Sequence, residues 1–330
     1  MTWYARASVT VNPRFRRIAL RSAVAAVAVL VLAASTEHVL EVMDTAKLTA
    51  DDTFATVRDR RVRYRLAGTG KPGPTIILVS GWGATFEQWH DLENALTESS
   101  PILMYDRGGM GFSDASEVHD PEGLAGELSD LLQALHVPPP YVVVSFSSGA
   151  LMARLFVAQH KDDVKGVVLL DPILPKAQLP LRRVLMKIWL KSLLGLMRIE
   201  VHAGHPAASR REETERAILS SFHHWSAAVA EGWHLRVDWS PRLMAAPAFA
   251  EIPVGVLCSF DEVVGGRPQE AVVSSRRLAT ESPRGFFLPV PHASHRELLH
   301  DPASVPVILG LIERVEIEAR EPALERPRVP

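Results

Sequence analysis

A serine with small neighbours stands between an apolar run and a helical segment in the middle of the chain. The run 142–144 leads into the turn 145–149, SFSSG, and the following LMARLFVAQH has helical apolar spacing. Small residues two positions before and after a serine permit a tight strand-to-helix turn that lifts the hydroxyl above a sheet. The pattern predicts a nucleophile elbow with Ser147 as the nucleophile, although Ser145 replaces the usual glycine.

A second turn upstream could supply hydrogen-bond donors to the same point. The strand-like IILVS ends in SGWG, at residues 80–83, before another helical segment. A glycine-bearing turn there can aim the backbone N–H of Trp82 at the place reached by the N–H of Ser148. Two converging donors form an oxyanion hole, which stabilises a transition state by a few kcal/mol.

Further segments carry a resemblance to a known family. With these turns, YDRGGMGFSD at 105–114, LLDP at 169–172 and a late strand ending in histidine resemble the α/β-hydrolase superfamily. The likeness is to the bacterial serine-hydrolase branch that reads DRxGxGxSD after its fourth strand, and it extends over about 56–315. It implies an α/β fold with a mostly parallel sheet flanked by helices and a helical cap. Asp106 and Arg107 are structural in that family, so we assign them no chemistry.

The resemblance also indicates the general base. The family places its histidine in the loop after the last strand, seven residues before a proline. His295 has this spacing to Pro302 and follows the strand-like GFFLPV, with His292 as the alternative. His300 is expected on the helix that follows. A histidine at this position takes the proton of the serine hydroxyl.

Three carboxylates compete for the role of the acid that orients His295. In the family the acid usually follows the strand before the histidine strand, which is 254–257 here. Asp261 matches that position if one residue is deleted from the turn, and Glu262 matches it without the deletion. Asp171 follows the preceding strand, from which some lipases take their acid. We favour Asp261.

Hydrophobic patterns alternate between strands and helices across residues 51–317. An edge hairpin is predicted over 56–66, where polar and apolar residues alternate. Fully apolar runs of strand length indicate parallel strands covered on both faces; they lie at 74–80, 102–105, 141–144, 167–170, 254–257 and 286–290. Helices are expected at 86–99 and through the leucines of 124–135. The segment 318–330 is predicted to be a loose tail.

The stretch 172–250 carries helical patterns without a convincing strand and predicts the cap. Its segment 181–198 is apolar on one side, with Arg183, Lys187 and Lys191 in a stripe. It either roofs a pocket with its stripe in solvent, or lies on anionic head groups as an interfacial helix. The pair 223–224, two histidines, lacks further spaced metal ligands, so we interpret it as cap packing.

The N-terminal segment, 1–50, predicts membrane insertion or export, with a linker or short helix over about 41–50. Arginines at 14, 16 and 17 precede the segment 18–34, which is apolar except for Arg21. With Arg21 reaching the head groups the segment is just long enough to span a bilayer, while LAAS at 32–35 could be cleaved by a signal peptidase. A buried soluble helix is the third alternative.

The first two alternatives have the same consequence for location. A basic flank stays inside, so the rest of the chain lies outside the cytoplasm. The expectation is either a catalytic domain anchored through residues 18–35 on the extracytoplasmic side, or a secreted or periplasmic protein.

Composition excludes several classes of function. The formal net charge of −2 gives no basic footprint for nucleic acid, and one cysteine, Cys258, permits no internal disulfide. No glycine-rich phosphate loop is present, so no cofactor is implied. The sequence therefore predicts a serine hydrolase that cleaves an ester or related acyl bond of a small apolar substrate. A non-catalytic binding or scaffold protein on the same fold is the alternative.

Overall fold

Eight strands form one central sheet in the computed structural model, which describes residues 13–173, 182–203, 206–235, 249, 251–260, 269–291 and 293–320. In chain order the strands are β1 (Thr53–Val57), β2 (Arg60–Ala67), β3 (Thr75–Val79), β4 (Ile102–Tyr105), β5 (Tyr141–Phe146), β6 (Val164–Leu170), β7 (Val254–Phe260) and β8 (Gly285–Pro291). Their order across the sheet is β1-β2-β4-β3-β5-β6-β7-β8. The β1–β2 and β2–β4 pairs are antiparallel and the others parallel.

One helix precedes the first strand, one follows the last strand, and the other described helices lie between strands along the chain. They are α1 (Pro13–Leu48), α2 (His90–Ser99, preceded by a 3₁₀ turn, Phe86–Trp89), α3 (Pro121–Ala134), α4 (Gly149–Gln159), α5 (Arg182–Leu193), α6 (Leu196–His202), α7 (Arg210–Ser220), α8 (Phe222–His234), α9 (Gln269–Ala279) and α10 (Ser304–Arg320). The helices α5–α8 stand between β6 and β7, within the stretch where the sequence predicts a cap. The α/β-hydrolase fold expected from the sequence is confirmed.

The central strands are buried because helices cover both faces of the sheet. In β3, Ile77 belongs to an apolar cluster with residues of α3 and α4, whereas Ile76 and Leu78 belong to a cluster with residues of α2 and α10. Successive side chains of a strand point to opposite faces, so both sets must be apolar. This explains the continuous apolar runs from which the strands could be predicted.

The hairpin at the edge of the sheet is also confirmed. Strands β1 and β2 pair in register through a two-residue turn, Arg58 and Asp59, which have φ values of +50° and +63°. Positive φ at both positions is the geometry of the tight turns that match strand twist. The alternating pattern buries Ala55, Val57 and Val62, while Thr56 and Arg61 remain exposed.

Three element boundaries differ from the sequence predictions. Residues 41–50 were expected to form a linker or short helix, but α1 continues to Leu48 without a break. The last helix continues through the start of the predicted tail to Arg320, and 321–330 lie outside the described residues. His300, which we expected on that helix, precedes it in a turn.

Helix α1 is the one described helix that is long and apolar enough to cross a membrane. Its most apolar 18-residue window has a mean hydropathy of 2.2, and none of that window is buried. The second half of the helix packs against the cap helices α5, α7 and α8. The exposed first half and the docked second half therefore belong to one continuous helix.

Candidate active site

Ser147 stands in the turn between β5 and α4, as the elbow motif predicts. Its φ is +56°, a left-handed conformation that residues other than glycine rarely adopt. The Ser147 N–H donates to the Leu170 carbonyl at 2.9 Å, and its carbonyl accepts from the Ile173 N–H at 3.0 Å. Neighbouring backbone thus holds the strained turn, and the serine is 6% exposed.

The elbow requires a close approach between α4 and the end of β3. A Cβ atom on Gly149 would lie 2.7 Å from the carbonyl oxygens of both Val79 and Ser80, so glycine is needed there. Ser145 occupies the other small-residue position, next to Val79 in β3 and Leu169 in β6. Its buried hydroxyl has no hydrogen-bond partner in the described part of the chain. The fold accommodates serine where the family pattern has glycine.

His295 reaches Ser147 from the segment after β8. Its Nε2 lies 3.0 Å from the Ser147 Oγ, which is hydrogen-bonding distance. The imidazole stacks on the Phe146 ring, with centroids 4.9 Å apart and an interplanar angle of 20°. The side chain is 36% exposed. His292, the alternative base, lies outside the described residues.

Asp171 meets the other ring nitrogen of His295. One of its carboxylate oxygens, Oδ2, forms a short contact with His295 Nδ1. The same oxygen accepts from the Ser259 hydroxyl at 2.7 Å, and Oδ1 accepts from the Ser259 N–H at 3.0 Å. Asp171 is fully buried, so these donors replace the water that would otherwise solvate its charge.

The described geometry brings Asp171 to His295, whereas the sequence favours Asp261. Strand β6 pairs directly with β5, so Asp171, the residue after β6, lies beside the elbow. Strand β7 contributes Ser259, which binds the Asp171 carboxylate and had no predicted role. Asp261 and Glu262, in the turn after β7, lie outside the described residues. Among the three candidate acids, Asp171 is the one with an observed contact to His295.

The two predicted oxyanion donors follow adjacent strands. Trp82 comes after β3 and Ser148 after β5, and these strands pair up to Val79 and Ser145. A Cβ atom on Gly81 would lie 3.2 Å from the Ser147 Cβ, so the Gly81–Trp82 peptide approaches the elbow. Within the residues that the structure describes, neither backbone N–H donates a hydrogen bond.

Arg107 fixes the orientation of the turn that carries Trp82. Its guanidinium donates to the Ser80 carbonyl at 2.7 Å and to the Gly81 carbonyl at 2.8 Å. The Gly81 carbonyl and the Trp82 N–H belong to one planar trans peptide and point in opposite directions. Holding the carbonyl therefore aims the N–H. The sequence assigned Arg107 a bracing role, and these contacts specify what it braces.

A buried carboxylate of the cap completes the coordination of Arg107. Glu231 in α8 accepts from the Arg107 Nε at 3.0 Å and from a terminal nitrogen at 3.1 Å. Burial raises the pKa of Glu231, and the charge of Arg107 opposes that rise. The Trp82 indole also donates to the Ala228 carbonyl of α8, at 2.5 Å. Helix α8 is thereby connected to the oxyanion turn at two points.

Arg107→Lys is expected to lower kcat about 10- to 100-fold with a smaller change in KM. Lysine cannot make the forked contacts to two carbonyls and a carboxylate, so the Trp82 N–H would lose its alignment. Removal of a whole oxyanion-hole donor lowers kcat by ~10²–10³-fold, and misalignment is expected to have a smaller effect. Steady-state ester hydrolysis measures both constants. Arg65→Lys, at a partly exposed pair with Glu93, is the matched control. An unchanged kcat in Arg107→Lys would refute this positioning role.

His224 makes a third connection between α8 and the core. Its Nδ1 accepts from the Gly111 N–H at 3.1 Å, which leaves a proton on Nε2 to donate to the Gly83 carbonyl at 3.1 Å. Burial lowers the pKa of His224 to about 3, so the ring is neutral. No group of metal-binding side chains was found in the described chain, and this pair of bonds fits the predicted packing role.

The neutral His224 predicts an acid-sensitive cap. The unfolded chain protonates this histidine near its ordinary pKa, so its stabilising contribution is lost as pH falls from about 6.5 toward 3. Between about pH 7 and about pH 5 the wild type is expected to lose about 2 kcal/mol more unfolding free energy than His224→Gln. Urea denaturation at both pH values measures the difference.

The control for this prediction is His223→Gln. His223 is the neighbouring histidine of α8; it is half-buried, and its Nε2 lies 2.8 Å from the Ser113 carbonyl. Burial raises the pKa of Asp106 to about 6, so its effect on stability has the opposite pH dependence. Asp106 is present in every variant, and its effect cancels when the variants are compared. Equal pH dependence of the wild type and His224→Gln would show that His224 does not carry the effect.

The described fold and site combine a mostly parallel sheet with a serine at a strand-to-helix elbow. The family profile described as alpha/beta hydrolase fold matches residues 74–242, just over half of the chain. The protein therefore belongs to the α/β-hydrolase fold family.

Curated relatives match shorter segments. An uncharacterized protein of Bacillus subtilis, YqjL, is 39% identical over 106 residues, which are 32% of this chain and 42% of the relative. The pimeloyl-acyl-carrier-protein methyl ester esterase of Chromobacterium violaceum is 33% identical over 97 residues, 29% of this chain and 36% of the relative. The chain thus spans less than half the length of either relative.

Solved structures match over much more of the chain. A thermophilic esterase from Thermogutta terrifontis has a TM-score of 0.59 and 23% identity, and covers 81% of this chain and 100% of its own. A membrane phospholipase A described as a bacterial virulence factor has a TM-score of 0.59 and 20% identity, and covers 92% of this chain and 99% of its own. At these low sequence identities, the structural similarity shows a shared fold.

Proposed function

We propose that this protein is a serine hydrolase that cleaves an ester or related acyl bond through an acyl-enzyme. The observation that carries the proposal is the relay Ser147–His295–Asp171 beside two backbone donors. A serine hydroxyl is a weak nucleophile until a base removes its proton, and His295 Nε2 lies at the required 3.0 Å. Hydrolase activity in general accords with the family.

Asp171 would act by holding His295 in one tautomer. Its carboxylate accepts a hydrogen bond from Nδ1–H, which leaves the Nε2 lone pair directed at Ser147. When Nε2 takes the serine proton, the buried carboxylate stabilises the imidazolium. The two hydrogen bonds from Ser259 hold the Asp171 carboxylate in the orientation that this role requires.

The reaction would proceed in two halves. The Ser147 Oγ attacks the acyl carbon while its proton moves to His295 Nε2, and the carbonyl oxygen becomes an oxyanion at the N–H groups of Trp82 and Ser148. The tetrahedral intermediate collapses, the bond to the leaving oxygen breaks, and His295 gives that oxygen the proton. Water then attacks the acyl-enzyme with His295 as base, and releases the carboxylic acid and free Ser147.

The proposed substrate is a small ester with an apolar acyl group. The names of the esterase, of the methyl ester esterase and of an enol-lactonase from Burkholderia xenovorans LB400 with a TM-score of 0.59 describe ester or lactone cleavage, which supports the bond type. A series of p-nitrophenyl esters from acetate to octanoate tests the acyl preference. Faster hydrolysis of acetate than of octanoate would count against an apolar acyl pocket.

Ser147→Ala tests the nucleophile in the same assay. It is expected to reduce kcat by about 10⁶-fold because no other group can form the acyl-enzyme. Ser148→Ala is the matched control, because it keeps the backbone N–H and removes a hydroxyl that has no partner in the described residues. Full activity in Ser147→Ala would exclude the mechanism.

We further propose that the exposed half of α1 anchors the enzyme in a membrane with the hydrolase domain outside the cytoplasm. The arginines before the apolar run support this orientation, and the length and hydropathy of α1 support a span. Carbonate extraction with N-terminal sequencing tests retention: a membrane-bound chain that still begins before residue 18 supports an anchor. A soluble chain that begins near residue 35 would indicate a cleaved signal instead.

A further inference from the structure

The burial of residues along α1 changes where the proposed membrane span ends and the contact with the cap begins. Every residue from 14 to 32 is exposed, whereas beyond them one stripe of the helix is buried or half-buried. The stripe recurs every three or four residues and consists of Ala33, Ala34, Glu37, Leu40, Glu41, Asp44, Thr45 and Leu48. This is the spacing of one helical face, so α1 docks on the cap immediately after the apolar segment ends.

The turn between α5 and α6 makes the first strong contact in this stripe. Glu37 is 3% exposed and accepts from the Arg198 guanidinium of α6 at 2.8 and 2.9 Å. A second terminal nitrogen of Arg198 donates to Asp44 at 2.7 Å. On the α5 side, a Cβ atom on Gly195 would lie 3.1 Å from a Glu37 carboxylate oxygen. Both sides of the turn therefore lie against α1 at Glu37.

The position of Glu37 along α1 gives the distance of this contact from the end of the apolar segment. Glu37 is five residues beyond Leu32, the last residue before the buried stripe begins, and a rise of ~1.5 Å per residue separates them by about 7–8 Å along the axis. The head-group layer of a bilayer is about 5–7 Å thick on each side. If α1 spans the membrane, the α5–α6 turn lies at the level of the head groups.

The outward side of these two helices has the chemistry of that layer. We call it the α5–α6 outer face; it consists of Val184, Met186, Lys187, Leu190, Leu196 and Ile199. Met186 is 60% exposed and Ile199 67%, large fractions for apolar side chains of a folded domain. Lys187 and the neighbouring Arg183 form no ion pair within the described chain, so both charges face outward. Apolar side chains mixed with unpaired cations are typical of helices that lie on anionic membranes.

We propose that the α5–α6 outer face rests in the head-group layer of an anionic phospholipid membrane, so that the cap lies on the bilayer surface. The proposal rests on the proposed anchoring by α1 and is independent of the reaction at Ser147. The Glu37–Arg198 pair makes α1 and the cap one unit, which sets this face at a fixed depth.

A depth-sensitive fluorophore tests the proposal in the full chain. Cys258 is the only native cysteine and is buried, so Met186→Cys provides a site for an environment-sensitive label. The protein is reconstituted in vesicles of equal parts phosphatidylcholine and phosphatidylglycerol that contain a lipid with a shallow doxyl quencher. The label at 186 is expected to lose about half of its fluorescence or more, since interfacial helices lie ~5–10 Å into the boundary layer. Lys161→Cys is the matched control, because this exposed residue lies at the amino-terminal end of β6, whereas the cap helices follow its carboxyl-terminal end, and a label there should not be quenched.

A charge-reversal variant tests whether the cations of the α5–α6 outer face contribute to membrane contact. Replacement of Arg183 and Lys187 by glutamate is expected to reduce the quenching of the label at 186 in these vesicles, and replacement of phosphatidylglycerol by phosphatidylcholine should act the same way. Flotation on a density gradient reports anchoring, and fluorophosphonate labelling of Ser147 reports the proposed reaction.

The outcomes separate the three ideas. A chain that floats with the vesicles while its label at 186 remains unquenched overturns the docking proposal and leaves anchoring intact. A chain that does not float overturns both. A fluorescence change at 186 that depends on protein concentration and not on the lipid quencher assigns the face to a second copy of the chain and also overturns the proposal. Loss of fluorophosphonate labelling alone affects the reaction and not the surface.

Discussion

His295→Ala is expected to lower kcat by about six orders of magnitude, because removal of the base leaves Ser147 as a neutral hydroxyl. The structure places Nε2 at 3.0 Å from the Ser147 Oγ and stacks the ring on Phe146, so a substitution removes the only base with an observed contact to the serine among the described residues. Steady-state and single-turnover ester hydrolysis measure the loss. Because the two residues act as a unit, the double variant with Ser147→Ala should be no slower than either single variant.

His300→Ala is the control for this experiment. It removes another histidine of the same region, one whose Nδ1 lies 2.6 Å from Asp91 at the start of α2. Its activity should stay within about twofold of the wild type, since surface pairs contribute little. The sequence alternative gives the contradicting result: if His292→Ala abolishes hydrolysis and His295→Ala does not, the assigned base is wrong.

Asp171→Asn is expected to lower kcat by about 10⁴-fold. An amide at this position can donate to Nδ1, which moves the ring proton to Nε2 and leaves no lone pair there to accept the serine proton. The loss should appear in kcat more than in KM, because the residue is buried and lies behind the histidine. Burst kinetics with an activated ester separate acylation from substrate binding.

Asp261→Asn decides between the two positions that sequence and geometry favour. Asp261 is the acid that the family pattern prefers, and Asp171 is the acid that contacts His295. We expect Asp261→Asn to change kcat by less than about tenfold, with Glu262→Gln as a further control. A loss near 10⁴-fold in Asp261→Asn together with an active Asp171→Asn would reverse the assignment.

The candidate nucleophile and the candidate base could be predicted because their signals are local. The elbow around Ser147 requires small neighbours within four residues, and the continuous apolar runs on either side define the strand and the helix that hold it. His295 followed from its spacing to Pro302 at the end of the last strand. The parallel sheet followed from runs that are apolar on both faces, and the hairpin from strict alternation over residues 56–66.

The acid was not predictable with the same certainty because its position depends on distance across the sheet. Both β6 and β7 end near the elbow, and sequence spacing alone does not say which loop reaches His295. The deciding contacts are between strands: β6 lies next to β5, and Ser259 of β7 donates to Asp171 instead of carrying the acid itself. In the sequence, the signal for Asp171 is a strand-end aspartate followed by proline, and the family spacing favoured Asp261 over it.

The continuation of α1 to Leu48 could not be predicted from local sequence patterns either. Residues 41–50 lack a long apolar period, and their helical conformation is stabilised by contacts with residues more than a hundred positions away. Glu37 pairs with Arg198, and Glu41 accepts from the Ser221 hydroxyl and the His223 N–H. Tertiary contacts of this kind override weak local propensity.

Helix α8 joins the cap to the oxyanion turn through several independent bonds. Glu231 holds Arg107, the Trp82 indole donates to Ala228, and His224 donates to Gly83. All three contacts involve the turn 80–83 or the arginine that orients it. Displacement of α8 would therefore change the direction of the Trp82 N–H, and we infer that the geometry of the oxyanion site depends on the position of the cap.

A fluorophosphonate probe tests the central claim most directly, because it reacts covalently only with an activated serine. The full-length protein is incubated with the probe, digested, and its modified peptide is sequenced by mass spectrometry. The account predicts one adduct, on Ser147 in the peptide that follows β5, and its loss in Ser147→Ala and His295→Ala but not in Ser148→Ala. An unlabelled wild type, or a Ser147→Ala variant that still labels, would contradict it and favour a non-catalytic binding protein on this fold.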